Sequence, residues 1–391
     1  MIMRLLLAGF LAAGAPFMTV SAFGQEFATK AEHAILIDAA SGTVLFEKNA
    51  DEQTPPASMA KMMTLAVVFE ALKSGELSLT DALFVSENAW RKGGATSGGS
   101  TMFAELNSKI AIEDLIRGIA VQSGNDAAII LAEGMSGTET SFAGRMNALA
   151  RRIGMAHSNF TNATGLPDEA QYTTVRDLAV LGKYLVEEFP NFYHYFSEPE
   201  FTWNNIRQFN RNPVLSAGIG GDGIKTGFTT ESGYGLVGSA VQDNQRLIVA
   251  INGLKTANER AEETKRIMNW GFRSFQSVEL FSPGEVIGSA SVFGGEKGAV
   301  DVAARRSVSL VLPKGQYGQI SAKVSYKGPL IAPIEPGREV GQLIVKVDGI
   351  KALSVPVFTH ENIETGTLQQ RAIDAIYELT IGWLGSLKPS S

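Results

Sequence analysis

The spacing of apolar and polar positions changes several times along the chain, and those changes mark its elements. Residues His33-Ala34-Ile35-Leu36-Ile37-Asp38 have strand composition, 39–42 read as a turn, and Thr43-Val44-Leu45-Phe46-Glu47 as a second strand. A hairpin is therefore expected ahead of Pro55. From Ser58 onward Met62, Leu65, Ala66, Phe69 and Leu72 recur at helical spacing, which predicts a helix over 58–72. Further helices are predicted over 112–122, 127–132, 141–153 and 174–189. Glycine and serine crowd 93–100, the composition of a mobile or tightly turned loop. Beyond Asp222 the habit becomes strand-like over 224–228, 235–240 and 245–251, and a helix over 261–272 closes the region. Strands thus flank a helical middle. The terminal strands are expected to share one antiparallel sheet with helices packed on it.

A second shift comes near Ser277. Short β-branched segments at 307–312, 320–326, 340–347 and 353–358, separated by Gly/Pro turns, predict a small all-β domain with no catalytic constellation. The tail differs again. On a helical wheel Leu368, Ala372, Ile373, Ile376, Tyr377, Leu379, Trp383, Leu384 and Leu387 share one face, with Arg371, Asp374, Glu378 and Gly385 opposite. Such a helix lies in a membrane surface or docks on the β domain. Its terminal place and aromatic tip point to the membrane. At the other end, Arg4, the broken apolar run 5–20 and the small residues before Gln25 read as a cleaved export signal. Glycines and a proline interrupt that run, which disfavours a spanning anchor. The expected divisions are 1–24 signal peptide, 25–276 main domain, 277–364 β domain and 365–391 amphipathic tail.

The bulk numbers narrow the chemistry. The 391 residues are 45% hydrophobic and 19% charged, enough for a large core and more than one domain. The net charge of −6, with no basic-aromatic run, argues against nucleic acid as a partner. The absence of cysteine excludes disulfides, a thiol nucleophile and cysteine metal sites. No two of His33, His157, His194 and His360 stand at metal-ligand spacing, so no metal or other cofactor is expected. No G-x-S-x-G elbow supports a Ser-His-Asp triad.

Three short motifs carry the chemistry that remains. Pro55 and Pro56 fix an extended turn before Ser58, which therefore sits at a helix N-terminus. Lys61 follows three residues later on the same helical face. Alone, Ser58 would read as an N-cap. A lysine whose pKa is lowered by burial or by another cation can take the serine proton, and helix N-terminal amides can meet developing negative charge. Downstream, Ser123-Gly124-Asn125 offers a hydroxyl and an amide. On a predicted strand, Lys225-Thr226-Gly227 offers a cation and a hydroxyl that can hold a carboxylate, with a glycine that admits close approach of another chain.

S-x-x-K, S-G-N and K-T-G in this order resemble the penicillin-binding proteins and serine β-lactamases. Pro56-Ala57-Ser58-Met59-Ala60-Lys61, Ser123-Gly124-Asn125-Asp126-Ala127, Asn162-Ala163-Thr164-Gly165-Leu166-Pro167, Gln171-Tyr172-Thr173 and Asp222-Gly223-Ile224-Lys225-Thr226-Gly227 look like the exported D-alanyl-D-alanine carboxypeptidases. The β domain and the tail match that family's low-molecular-mass members. The resemblance implies an α+β, β-lactamase/transpeptidase-like domain followed by the small β domain and the amphipathic helix. It implies Ser58 as nucleophile on peptidoglycan pentapeptide, Lys61 as general base aided by the cation Lys225, and Ser123 as proton relay. Asn125 would bind the substrate amide, and Lys225, Thr226 and Gly227 the terminal carboxylate side. Arg260 would assist, and the backbone amides of Ser58 and Phe228 would form the oxyanion hole. β-Lactams would be inhibitors. The place of work would be the periplasm, peripheral on the outer face of the cytoplasmic membrane. Some relatives carry histidine where this chain has Phe228, which bears on pocket polarity rather than on a backbone role.

Three rivals use the same residues. A class A β-lactamase would need an E-x-x-L-N pattern, which Glu187-Glu188-Phe189-Pro190-Asn191 imitates poorly. An endopeptidase or transpeptidase differs only in pocket shape. A non-catalytic wall-binding protein would not need Ser58, Lys61, Ser123 and Lys225 all intact.

Overall fold

A computed structural model describes residues 27–315 and 318–377. The expected signal peptide over 1–24 and the tail from 378 onward, Trp383 included, lie outside them. The first two strands, His33–Asp38 and Val44–Lys48, form the expected hairpin. They join three late strands in one antiparallel sheet. Its order is Val44–Lys48, His33–Asp38, Gln245–Leu254, Gly233–Gln242 and Gly221–Thr229. Gly221–Thr229, which carries K-T-G, is therefore an edge strand.

Alternation along these strands feeds two cores. Ile35, Ile37, Ile224, Val237, Ile248 and Ala250 face the helical lobe. Ala34, Leu36, Leu236, Leu247 and Val249 face the helix Ala257–Ser274 through its Ile267, Met268 and Phe272. Both faces being covered, the strands read as nearly continuous apolar runs. The helix Lys61–Ser74 passes through the middle of the lobe, and its residues from Lys61 to Phe69 are all buried. Gly75, at φ 78°, ends it in the left-handed conformation.

The other predicted helices appear as Ile112–Ala120, Asn125–Ser136, Glu139–Arg152 and Val175–Glu188. Two of these, and the closing helix, start at threonine caps rather than at the first apolar residue. The side chains of Thr138, Thr174 and Thr256 accept from the amides of Ser141, Asp177 and Glu259. This explains why the closing helix begins at Ala257, four residues ahead of the expected 261. Two short strand pairs were not predicted: Ala82–Phe84 with Lys109–Ala111, which a helix separates in the chain, and the hairpin Glu200–Trp203 with Ile206–Phe209. Strands of three or four residues are too short to establish an alternation.

The second domain has a core of its own, built on Val292, Val300, Val302, Leu343, Val345 and Val357. The predicted strands appear as Val308–Pro313, Ile320–Tyr326, Glu339–Val347 and Ile350–Thr359. They are joined by Phe275–Phe281, Val286–Phe293 and Ala299–Ala303, whose half-exposed faces carry weaker patterns. Arg306 of this domain pairs with Glu187 at 2.6 Å and Glu188 at 2.5 Å, at the end of the helix Val175–Glu188. The described part of the tail is the helix Leu368–Tyr377. Its polar side meets the β domain: Asp374 Oδ2 accepts from the Gly294 amide at 2.8 Å, and Gln370 donates to the Glu296 carbonyl. Leu368 and Ile373 on the other side are 83% and 61% exposed.

Candidate active site

Ser58 does not open the α-helix directly. It lies in a 3-10 turn, Ala57–Ala60, from which Lys61–Ser74 continues. Ala57, just before it, has φ 47°, an uncommon value for a residue with a Cβ. The surroundings hold this turn on two sides. A Cβ on Gly227 would stand 3.2 Å from Ala57 Cβ and 3.3 Å from the Met59 amide nitrogen. One on Gly165 would stand 1.8 Å from the Ala57 carbonyl oxygen. Glycine at both positions lets the K-T-G strand and the 162–167 loop close on the nucleophile turn.

Lys61 is fully buried. Its Nζ donates to Ser58 Oγ at 3.1 Å and to the Thr164 carbonyl at 2.6 Å. That carbonyl is set by Asn162, whose Oδ1 accepts from the amides of Thr164 and Gly165 and from Thr164 Oγ1. The Asn162-Ala163-Thr164-Gly165 stretch is thus the seat of the lysine. Burial pushes the Lys61 pKa down from 10.5 to about 7; Asp126 draws it up and Arg211 pushes it further down. Burial, rather than the expected neighbour Lys225, is the main cause.

Lys225 is buried one residue before Thr226, to whose carbonyl its Nζ donates at 3.1 Å. Burial, then Lys61, Arg211 and Arg260, hold its pKa well below the ordinary lysine range. Burial lowers Arg211 and Arg260 as well. Arg260 lies over the Tyr234 ring at 5.6 Å, and its Nε has no hydrogen-bond partner. Four basic side chains therefore converge on one cleft, with Asp126 the acid that acts on Lys61. Such a site favours an incoming anion.

Ser123 is buried in a left-handed conformation, φ 66°, and its Oγ has no hydrogen-bond partner. Asn125 is buried beside it, at the start of its helix. Thr226 and Gly227 are buried on the edge strand, whereas Phe228 is 51% exposed and lies 4.2 Å, ring to ring, from Tyr234. Sequence reasoning missed Arg211, whose Nη1 donates to Ser100 Oγ at 2.8 Å; no motif surrounds it. It also gave no role to Asp126, although that residue stands inside a quoted stretch. Glu187 and Glu188 are engaged with Arg306, Lys183 and Lys73, which removes the basis of the β-lactamase reading. His33 pairs with Glu52, and no hydrogen bond joins a histidine to Ser58 among the described residues.

A serine bonded to a buried lysine that titrates near neutrality can form an acyl-enzyme without metal or histidine. That chemistry, on this sheet-and-helix fold, defines a serine peptidase of the penicillin-recognising class.

The comparisons with known proteins agree. Residues 19–256 match the family model described as D-alanyl-D-alanine carboxypeptidase, and residues 275–365 match the penicillin-binding protein 5 C-terminal domain. The chain is 38% identical over 387 residues to D-alanyl-D-alanine carboxypeptidase DacC of Escherichia coli, covering 96% of this chain and 97% of that protein. It is similar to the crystal structure of penicillin-binding protein 5 from Haemophilus influenzae (TM-score 0.79, 35% identity, 87% of this chain and 99% of that one). Penicillin-binding protein D2 from Listeria monocytogenes, solved in an ampicillin-bound form, covers 63% of this chain and 99% of its own at 29% identity (TM-score 0.55). The chain belongs to the D-alanyl-D-alanine carboxypeptidase family.

Proposed function

We propose that Ser58, Lys61 and Ser123 carry out the activity of this family. The protein is a serine D-Ala-D-Ala carboxypeptidase. Ser58 Oγ attacks the carbonyl between the two terminal D-alanines of a peptidoglycan stem peptide, and neutral Lys61 takes its proton. The amides of Ser58 and Phe228 hold the oxyanion, each worth roughly 3–4 kcal/mol. Ser123 passes a proton to the leaving amine, and D-alanine departs. Water then attacks the acyl-enzyme and frees the shortened peptide. Asn125 binds the substrate amide. Lys225 and Thr226, with Arg260 close by, hold the terminal carboxylate, which supplies the negative charge that the crowded basic side chains lack. Gly227 lets the edge strand approach. β-Lactams acylate the same serine.

The observation that carries this reading is the Lys61–Ser58 hydrogen bond at 3.1 Å, made by a lysine whose pKa lies near 7. The test is incubation with a pentapeptide ending in D-Ala-D-Ala, following free D-alanine. Since the unprotonated amine is the base, kcat/KM should rise with pH through a midpoint near 7 and level off above it. A rate that falls across that range, or ignores it, would contradict Lys61 as base. Crosslinked product, followed in the same tubes, would expose a transpeptidase.

We also infer that the protein is exported and held at the outer face of the cytoplasmic membrane. The leader-like first 24 residues and a tail helix bound to the β domain by its polar side support this. None of the described helices is long and apolar enough to cross a membrane; the amphipathic spacing of the tail favours peripheral attachment. Removing residues 366–391 should release the protein from phospholipid vesicles in a flotation assay while D-alanine release persists. Equal flotation of both forms would refute the tail as anchor.

A further inference from the structure

Asp126 takes no part in the steps above, yet few side chains here are so fully committed. It is completely buried. Its Oδ2 accepts from Thr101 Oγ1 at 2.6 Å and from the Ala104 amide at 3.0 Å. Its Oδ1 accepts from the amides of Met102 at 2.9 Å and of Ala127 at 3.0 Å. Three of these four donors belong to the segment 101–104, which follows the glycine-rich loop.

The same loop lies against the S-G-N turn elsewhere. The Asn125 amide donates to the Ser100 carbonyl at 2.8 Å, and Ser100 Oγ accepts from Arg211. Glycines make this closeness possible. A Cβ on Gly93 would fall 2.2 Å from the Asp126 amide nitrogen, and one on Gly99 2.9 Å from Asn125 Nδ2. One on Gly124 would fall 2.8 Å from Asp126 Oδ1. The glycine-rich composition therefore serves close packing on Asn125 and Asp126.

We propose that Asp126 is a positioning residue: its carboxylate clamps the 99–104 segment onto the Ser123–Asn125 turn and so holds both substrate-facing groups beside Lys61. The proposal rests on the assignment of Ser58 and Lys61 given above. Its second effect is electrostatic. Arg211 acts on both Lys61 and Lys225, Lys61 and Arg260 act on Lys225, and Asp126 acts on Lys61; of these Asp126 alone favours a protonated amine.

The test compares Asp126→Asn, Thr101→Val and Thr101→Ser with the unmodified protein, in D-alanine release measured across pH. Asp126→Asn turns an amide N–H toward donors and removes the charge. The plateau kcat/KM should fall about a hundredfold, and the midpoint of the acid limb should move to lower pH. Thr101→Val removes one clamp bond and keeps the charge. The plateau should fall about tenfold with the midpoint in place, and Thr101→Ser should restore it. If Asp126→Asn does not fold, the Thr101 pair still decides. Wild-type rates in Thr101→Val, or an acid limb that stays or moves upward in Asp126→Asn, would overturn the proposal. If the unmodified protein releases no D-alanine, the catalytic assignment fails instead.

Discussion

Replacing Ser58 by alanine is expected to lower D-alanine release by on the order of 10⁴-fold or more, the size seen when an acyl-enzyme nucleophile is removed. Covalent labelling by a fluorescent penicillin should vanish with it. The fold should be unharmed. Ser58 is only partly buried, its turn is held by Gly165 and Gly227 against the Ala57 and Met59 backbone, and its hydroxyl has Lys61 as its partner. Labelling that persists in Ser58→Ala, on any other residue, would remove Ser58 from the mechanism. Persistent D-alanine release without labelling would do the same for the acyl-enzyme.

Lys61→Met should separate activity from stability. Activity should fall about a thousandfold, because among the described residues no other group bonded to Ser58 can take its proton. Stability should rise at neutral pH. In the unfolded chain a lysine titrates near its ordinary value of 10.5, whereas folded Lys61 titrates at about 7. Between these values the unfolded state binds the extra proton. The penalty is complete below pH 7, and it fades as pH rises toward the unfolded value. Its full size is on the order of 5 kcal/mol. Methionine removes that penalty but leaves the Thr164 carbonyl unpaired, at ~1–3 kcal/mol. The net gain should appear as a melting temperature a few degrees higher at pH 7, and it should disappear or reverse near pH 10. A gain independent of pH would mean that packing, not proton linkage, is responsible.

Much of the site was legible because its chemistry is compressed into short runs. Ser58 and Lys61 are one helical turn apart, so spacing alone puts them together. The K-T-G strand was legible from the strand-like composition around it. Arg211 was not: it reaches Lys61 and Lys225 only through the fold, from a segment with no distinctive pattern. Asp126 was visible but mute, because a carboxylate at a helix start usually serves its own helix and its partners at 101–104 lie in a loop. Burial and a second cation were both open as causes of the Lys61 pKa. Enclosure is the larger, and Lys225 is not among the groups acting on it; enclosure depends on how the 162–167 loop covers the lysine. Glu187 and Glu188 show the converse. A local resemblance to a deacylating motif dissolves once Arg306, far along the chain, is seen to pair with them.

By itself the sequence determined which groups can react and in which elements they stand, because helical and strand periodicities and three short motifs are local properties. It also determined that two sheet-bearing domains and an amphipathic tail follow one another. Only the tertiary structure decided the strand order within the shared sheet, which leaves the K-T-G strand at the edge and puts it against the Ser58 turn. Only it decided that Lys61 loses its water and with it most of its hold on a proton. Desolvation and close approach depend on what surrounds a residue, and no run of neighbours in the chain encodes that.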